Sequence, residues 1–144
     1  MLYFAYGMNT NAQEMGQRCP GAVAFGRAQL LGHRFRFARH ADVQVDRNSW
    51  VEGVLWDITQ QCLNQLDQLE GYPYYYGRKL ATVEYQEQQH QALVYFMQPG
   101  HRSQPPLIPY FDTVTQGYQE FGVPVQQLLQ SVTKSTKFQT NVFG

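Results

Sequence analysis

From residue 22 to residue 58 the chain presents four short pieces in succession that alternate or run apolar: residues 22–31, 34–39, 43–46 and 51–58. Gly32, Asn48 and Ser49 fall between them as turn residues. Pieces of this length and pattern are strands with one or both faces buried. An apolar, aromatic opening at residues 1–6 adds another strand, which breaks at Gly7 and leads to a short helix starting near Asn11, with Glu14 completing a capping box. Further on, residues 78–85 and 92–97 form a hairpin joined by the polar residues 86–90. Five or more strands with few interposed helices predict an α+β fold, a small mixed α/β domain built on a mostly antiparallel, barrel-like sheet.

The helices are marked by local chemistry. Cys62, Leu63, Leu66 and Leu69 recur at helical spacing, Thr59 stands at the N-cap position and Gly71 just past the last turn. After a loop rich in proline, with Pro99, Pro105, Pro106 and Pro109, two more helices are predicted over 110–121 and 124–132, the first closed by Gly122 and the second opened by Pro124. The tail after Lys134 reads as loosely held. A chain of 144 residues fits one domain with a real core, here residues 1–144 with the core over about 2–132.

Charge and composition narrow the function. Lys plus Arg and Asp plus Glu both count 11, so no global field draws in nucleic acid or an anionic membrane. Arg34-Phe35-Arg36-Phe37 interleaves basic and aromatic residues, as a single-strand binding surface does, but a half-buried strand produces the same alternation. No apolar stretch reaches the roughly 20 residues of a membrane span, and the opening lacks a basic start, so a cytoplasmic protein is expected. Cys19 and Cys62 lie far apart and read as buried thiols of a reducing compartment. His33, His40, His90 and His101 show no ligand spacing, so neither a metal nor a cofactor is assigned. No GxSxG elbow accompanies the serines. The expected partner is a small molecule, and the assembly is left open between monomer and homodimer.

The residue most suggestive of chemistry is Glu70. It ends the helix that Gly71 closes and is followed by Tyr72-Pro73-Tyr74-Tyr75-Tyr76. A carboxylate facing the negative end of a helix and packed against rings is harder to ionise. Such an acid can take a proton from one atom and return it to another. The competing reading is a Glu that ends a surface helix in water. Asp67, one turn earlier, is close enough to interact but reads as a solvated neighbour. At Tyr6-Gly7-Met8-Asn9 a strand, a glycine and a helix start gather unpaired amides that could hold an anion, or make an ordinary turn.

In combination these segments resemble the gamma-glutamylcyclotransferase-like superfamily. Leu2-Tyr3-Phe4-Ala5-Tyr6-Gly7-Met8-Asn9 is similar to its YFAYGSN opening, Gly53-Val54-Leu55-Trp56 to its GVVW motif, and Leu66-Asp67-Gln68-Leu69-Glu70-Gly71 to its LDxxEG motif. Tyr76 and Arg78 match a following Y-x-R, Tyr95-Phe96-Met97 a second hairpin strand, and residues 106–124 a proline, tyrosine and G-x-P pattern. The resemblance spans roughly residues 2–130, and several ordered motifs are more specific than any one.

The resemblance implies a cofactor-independent enzyme that cyclises a γ-glutamyl amine or γ-glutamyl amino acid to 5-oxoproline and releases the free amine. It implies Glu70 as the acid/base, Tyr6, Gly7, Met8 and Asn9 as a substrate loop, and Tyr76 and Tyr110 as supporting tyrosines. Met8 departs from the family's usual Ser, replacing a hydroxyl with a thioether. That change motivates the alternative of a non-catalytic module that keeps the pocket without turnover.

Overall fold

The computed structural model describes the backbone of residues 1–143 and the side chains of residues 1–136. Strand β1 (Leu2–Ala5) runs into a 3-10 turn (Met8–Thr10) and helix α1 (Ala12–Arg18). Two long strands, β2 (Val23–Ala38) and β3 (His40–Asp57), precede helix α2 (Gln60–Leu69). The hairpin β4 (Tyr76–Tyr85) and β5 (Gln88–Met97) follows, then helices α3 (Ile108–Glu120) and α4 (Gln126–Phe143). The strands close into a barrel in the order β1-β3-β2-β4-β5. Every named pairing is antiparallel except β1 with β5, where Tyr3 stands opposite Leu93. The predicted α+β class with a mostly antiparallel barrel-like sheet is therefore what the chain adopts.

The four predicted pieces between 22 and 58 are two strands. Gly32 does not end β2; it takes φ +70 and passes a bulge, because Leu31 pairs with Trp50 and His33 with Val45. Residues 46–49 loop out opposite it, with the Asp46 carboxylate accepting from Asn48 N at 3.1 Å and Ser49 Oγ at 2.9 Å. The reversal falls instead at Arg39, φ +67, between the paired Ala38 and His40. Arg39 holds that unusual conformation by donating from its backbone to Gln104 O and from its guanidinium to Pro105 O. The second hairpin is also tighter than expected. Gln86 and Glu87 both have positive φ, as a two-residue turn matched to strand twist requires, so β5 begins at Gln88.

One core fills the barrel and the space beneath the helices. Phe4, Leu30, Phe37, Val51, Val54, Val83 and Val94 are buried in it, with Tyr118 from α3 and Leu128 from α4. Tyr118 donates to Tyr6 O at 2.6 Å, which fixes α3 against the end of β1. Helix α1 starts as predicted at Asn11, whose side chain accepts from Gln13 N and Glu14 N; Glu14 turns toward Arg18 rather than back to the cap.

The two cysteines are not free thiols. Cys19, just past α1, and Cys62, in the first turn of α2, form a disulfide with Cα atoms 5.1 Å apart. The sequence separation of 43 hides this, because only the packing of α1 on α2 brings the side chains together. Helix α4 carries the backbone past residue 132, the predicted end; the tail after Lys134, expected to be loosely held, lies mostly outside the described side chains.

Candidate active site

Helix α2 delivers Glu70 to one end of the barrel. Thr59 caps its start by accepting from Cys62 N, and Leu66 is fully buried, which sets the helix's rotation. Glu70 is the C-cap residue, donating its amide to Leu66 O at 2.8 Å, and Gly71 at φ +66 turns the chain away. From the opposite side, β1 leaves the barrel through Tyr6 and Gly7 into the 3-10 turn. Thr10 closes that turn with two bonds to Gly7 O. Gly7 suits the crowding there: a Cβ would lie 3.0 Å from the Ala41 Cβ and 3.1 Å from the Tyr110 hydroxyl.

Between these two elements lies a cavity of about 210 Å³. Glu70, Tyr6, Gly7, Met8, Asn9, Tyr76 and Tyr110, the residues singled out from the sequence, all line it. Tyr3, Arg18, His40, Tyr75 and Tyr95 line it too and were not expected. Tyr3 and Tyr95 stand on strands that were expected, but Tyr3 is buried together with Phe4 and Ala5, and Tyr95 together with Val94, so alternation does not single them out. Arg18, in the last turn of α1, carried no signal either.

Glu70 occupies a half-buried position and its carboxyl is raised to about 7 by burial, against the opposing pull of Arg18 and of the Asn9 hydrogen bond. Of the two causes the sequence suggested, the negative helix end and burial against rings, burial is the one that raises it here. Asn9 Nδ2 stands 3.4 Å from Glu70 Oε1 and 3.0 Å from the Tyr3 hydroxyl, while Asn9 Oδ1 accepts from Arg18 Nη1 at 2.9 Å.

The tyrosines form a neutral, hydrogen-bonded wall. Tyr6 donates to Tyr95 O and Tyr76 to Ala41 O, both at 2.7 Å, and burial pushes both phenols well above the ordinary value. Tyr110 accepts from Ala41 N at 3.0 Å, which leaves its own proton for an acceptor in the cavity. His40, at the rim, is within 2.8 Å of the Tyr75 hydroxyl, and burial lowers its pKa.

Asp67 is not the solvated neighbour expected. Arg78 donates to both of its oxygens, at 3.0 and 3.3 Å, and the Tyr95 hydroxyl at 2.6 Å. Helix α2 and the β4–β5 hairpin meet through this carboxylate. Among the described residues no group of three or more His, Cys, Asp or Glu side chains is arranged to hold a metal ion. One ionisable acid, many hydroxyls and a set of backbone amides suit proton transfer on a small polar substrate.

Three comparisons bear on what class this is. The model of the family described as gamma-glutamyl cyclotransferase, AIG2-like, matches residues 3–112. The gamma-glutamylcyclotransferase of Bos taurus is 27% identical over 138 aligned positions, covering 87% of this chain and 73% of its own. Among solved structures, a Homo sapiens protein described as uncharacterized superposes with a TM-score of 0.81 at 27% identity, covering 90% of this chain and 85% of its own. A gamma-glutamyl cyclotransferase structure gives the same TM-score and coverage at 26% identity. Fold and site define a barrel-based α+β domain with an acid facing a strand-to-helix loop. The chain belongs to the gamma-glutamyl cyclotransferase, AIG2-like family.

Proposed function

We propose that this chain is a gamma-glutamyl cyclotransferase that converts a γ-glutamyl amine or γ-glutamyl amino acid to 5-oxoproline and the free amine, with Glu70 as general acid and base. The observation that carries the reading is the placement of Glu70, raised to about 7, in the cavity opposite residues 6–9. An acid near neutrality exchanges protons in both directions at little cost.

The substrate supplies its own nucleophile. Its α-amine attacks its γ-carbonyl carbon, forming the ring C–N bond, and the bond to the leaving amine then breaks. Glu70 takes the proton lost by the attacking ammonium and returns it to the departing nitrogen, so nothing else is consumed. The protein's main task is to hold the folded conformer in which nitrogen and carbonyl meet. The first amides of the 3-10 turn have no acceptor within it, and the Tyr110 hydroxyl, which accepts from Ala41 N, keeps a proton to donate; these donors would serve the developing oxyanion or the α-carboxylate. Met8, on the cavity wall where the family usually has Ser, bears on the identity of the leaving amine.

The proposed partner is this small molecule, without nucleic acid or membrane. Among the described residues no helix is long and apolar enough to cross a membrane. A cytoplasmic location is part of the proposal, and the Cys19–Cys62 disulfide is the feature that weighs against a reducing compartment.

The test is 5-oxoproline release from γ-glutamyl amino acids, γ-glutamyl-lysine and glutathione, with wild type beside Glu70→Gln. Release by the wild type that is lost in the variant is the expected result. Equal turnover by the variant would end the assignment of Glu70, and stabilisation by these ligands without any release would favour the non-catalytic module.

A further inference from the structure

Arg18 stands out as the one Lys or Arg side chain among the described residues lining the cavity, and it approaches Glu70 through an intermediary. Its Nη1 donates to Asn9 Oδ1 at 2.9 Å. A carboxamide held by its oxygen has its NH₂ directed the other way, and there Nδ2 meets Tyr3 OH at 3.0 Å and Glu70 Oε1 at 3.4 Å. Arg18 is itself fixed. It is the last residue of α1, it faces Glu14 across one helical turn at 4.0 Å, and the next residue is tied to α2 by the Cys19–Cys62 disulfide.

We propose that Arg18 is a positioning residue that acts through Asn9, locking the carboxamide so that a donor and a nearby positive charge always face the Glu70 carboxylate. The inference rests on the proposed role of Glu70 in proton transfer. Burial alone would leave Glu70 a weak acid that holds its proton too tightly to act as a base. Arg18 offsets part of that burial and keeps the ionised form within reach.

The other titratable groups in the cavity wall and behind it do not duplicate this effect. Tyr3 and Tyr6 at the β1 end, Tyr75 and Tyr76 at the start of β4, Tyr95 on β5 and Tyr110 on α3 are phenols that burial keeps neutral. His40 at the rim has its pKa lowered by burial and by Arg39. Asp42 is a buried carboxylate bonded by Arg36 at 2.8 Å, and Asp67 on the same helix is answered by Arg78. Arg18 is the cation that lowers the Glu70 pKa.

The experiment is a titration of the Glu70 carboxyl by carbon NMR on the resting protein, assigned with Glu70→Gln, in wild type, Arg18→Met and Arg18→Gln. The same proteins are assayed for the pH dependence of kcat/KM. Loss of an opposing charge predicts that the Glu70 titration and the acidic limb of kcat/KM both move to higher pH in Arg18→Met, by about one unit. Activity below the limb would then fall about tenfold while the high-pH plateau is largely kept. Arg18→Gln keeps a donor for Asn9 without the charge, should fall between the two, and gives a second reading if the Met variant does not fold. An unmoved titration in the folded variants, whatever their activity, would reduce Arg18 to a structural residue and overturn the proposal. Because the titration is read without substrate, an inactive wild type would remove the proposed function separately.

Discussion

Asp67 and Glu70 lie three residues apart on one helix end, yet the fold answers them in opposite ways. Asp67 receives both arms of Arg78 and the Tyr95 hydroxyl. Glu70 receives one long bond from Asn9 and an environment that disfavours its charge. Two carboxylates on one helix end thus have separate functions: one fastens helix to hairpin and the other is left in a protonation balance.

The Glu70 balance has a thermodynamic signature. Its folded pKa, about 7, lies above the ordinary 4.5, so between those values the folded protein binds more protons than the unfolded chain. Stability is therefore lost as pH rises through that window and stays reduced above it. Glu70→Gln removes the ionisation while keeping the shape. It should melt with wild type near pH 4 and roughly 3 to 8 °C above it near pH 8. Thermal melts across pH check this; a constant gap at all pH values would count against the raised pKa.

Asp67→Asn should behave differently. It weakens the forked contact with half-buried Arg78 and the short bond from Tyr95, so it should cost roughly 1–3 kcal/mol of stability. Arg78 already compensates the Asp67 charge, so the acidic limb of kcat/KM should stay in place. Denaturant unfolding together with a pH–rate profile separates these effects; a limb that moved with stability unchanged would show that Asp67 acts on the chemistry.

What could be read in advance was what local chemistry decides. Thr59 and Gly71 bracket α2 by capping, and so the position of Glu70 at its end was legible. The loop at residues 6–9 was legible because a strand, a glycine and a helix cap follow one another. The Arg39 turn was not, since a non-glycine residue with positive φ is held there by Gln104 and Pro105 from a distant loop, while the more obvious Gly32 only bulges the strand. Arg18 and the Asp67–Arg78 contact depend on which helix packs where. No periodicity in the chain reports a bond between residues 9 and 18, or between α2 and β4.

The disulfide gives a direct stability prediction. Cys19 and Cys62 close a loop with a sequence separation of 43, so opening it frees a long segment of the unfolded chain. Replacing both with Ala should cost roughly 2–4 kcal/mol. Unfolding midpoints of the double variant, and of wild type with and without a reductant, measure this. A reductant that left the wild-type midpoint unchanged would indicate that the bridge contributes little.

Two helical glycines test how closely the loop at residues 6–10 is supported. Alanine favours helix over glycine by roughly 0.5–1 kcal/mol, so Gly→Ala is stabilising where space allows. At Gly16 in α1 a Cβ would meet nothing within 4 Å, and Gly16→Ala should gain about that amount. Gly117 in α3 is the opposite case: its Cβ would overlap the Thr10 hydroxyl and lie 2.6 Å from Asn11 N and 2.7 Å from Thr10 C. Two of those three atoms are backbone, so they cannot swing aside as a flexible side chain would. Overpacking should exceed the helix gain and leave Gly117→Ala roughly 1–3 kcal/mol less stable. Since Thr10 closes the turn on Gly7 O, the displacement should reach the cavity wall and raise KM more than a comparably destabilising change far from the site. Unfolding curves and steady-state kinetics of the two variants check both signs, and a Gly117→Ala protein as stable and active as wild type would show that α3 can move away without disturbing the loop.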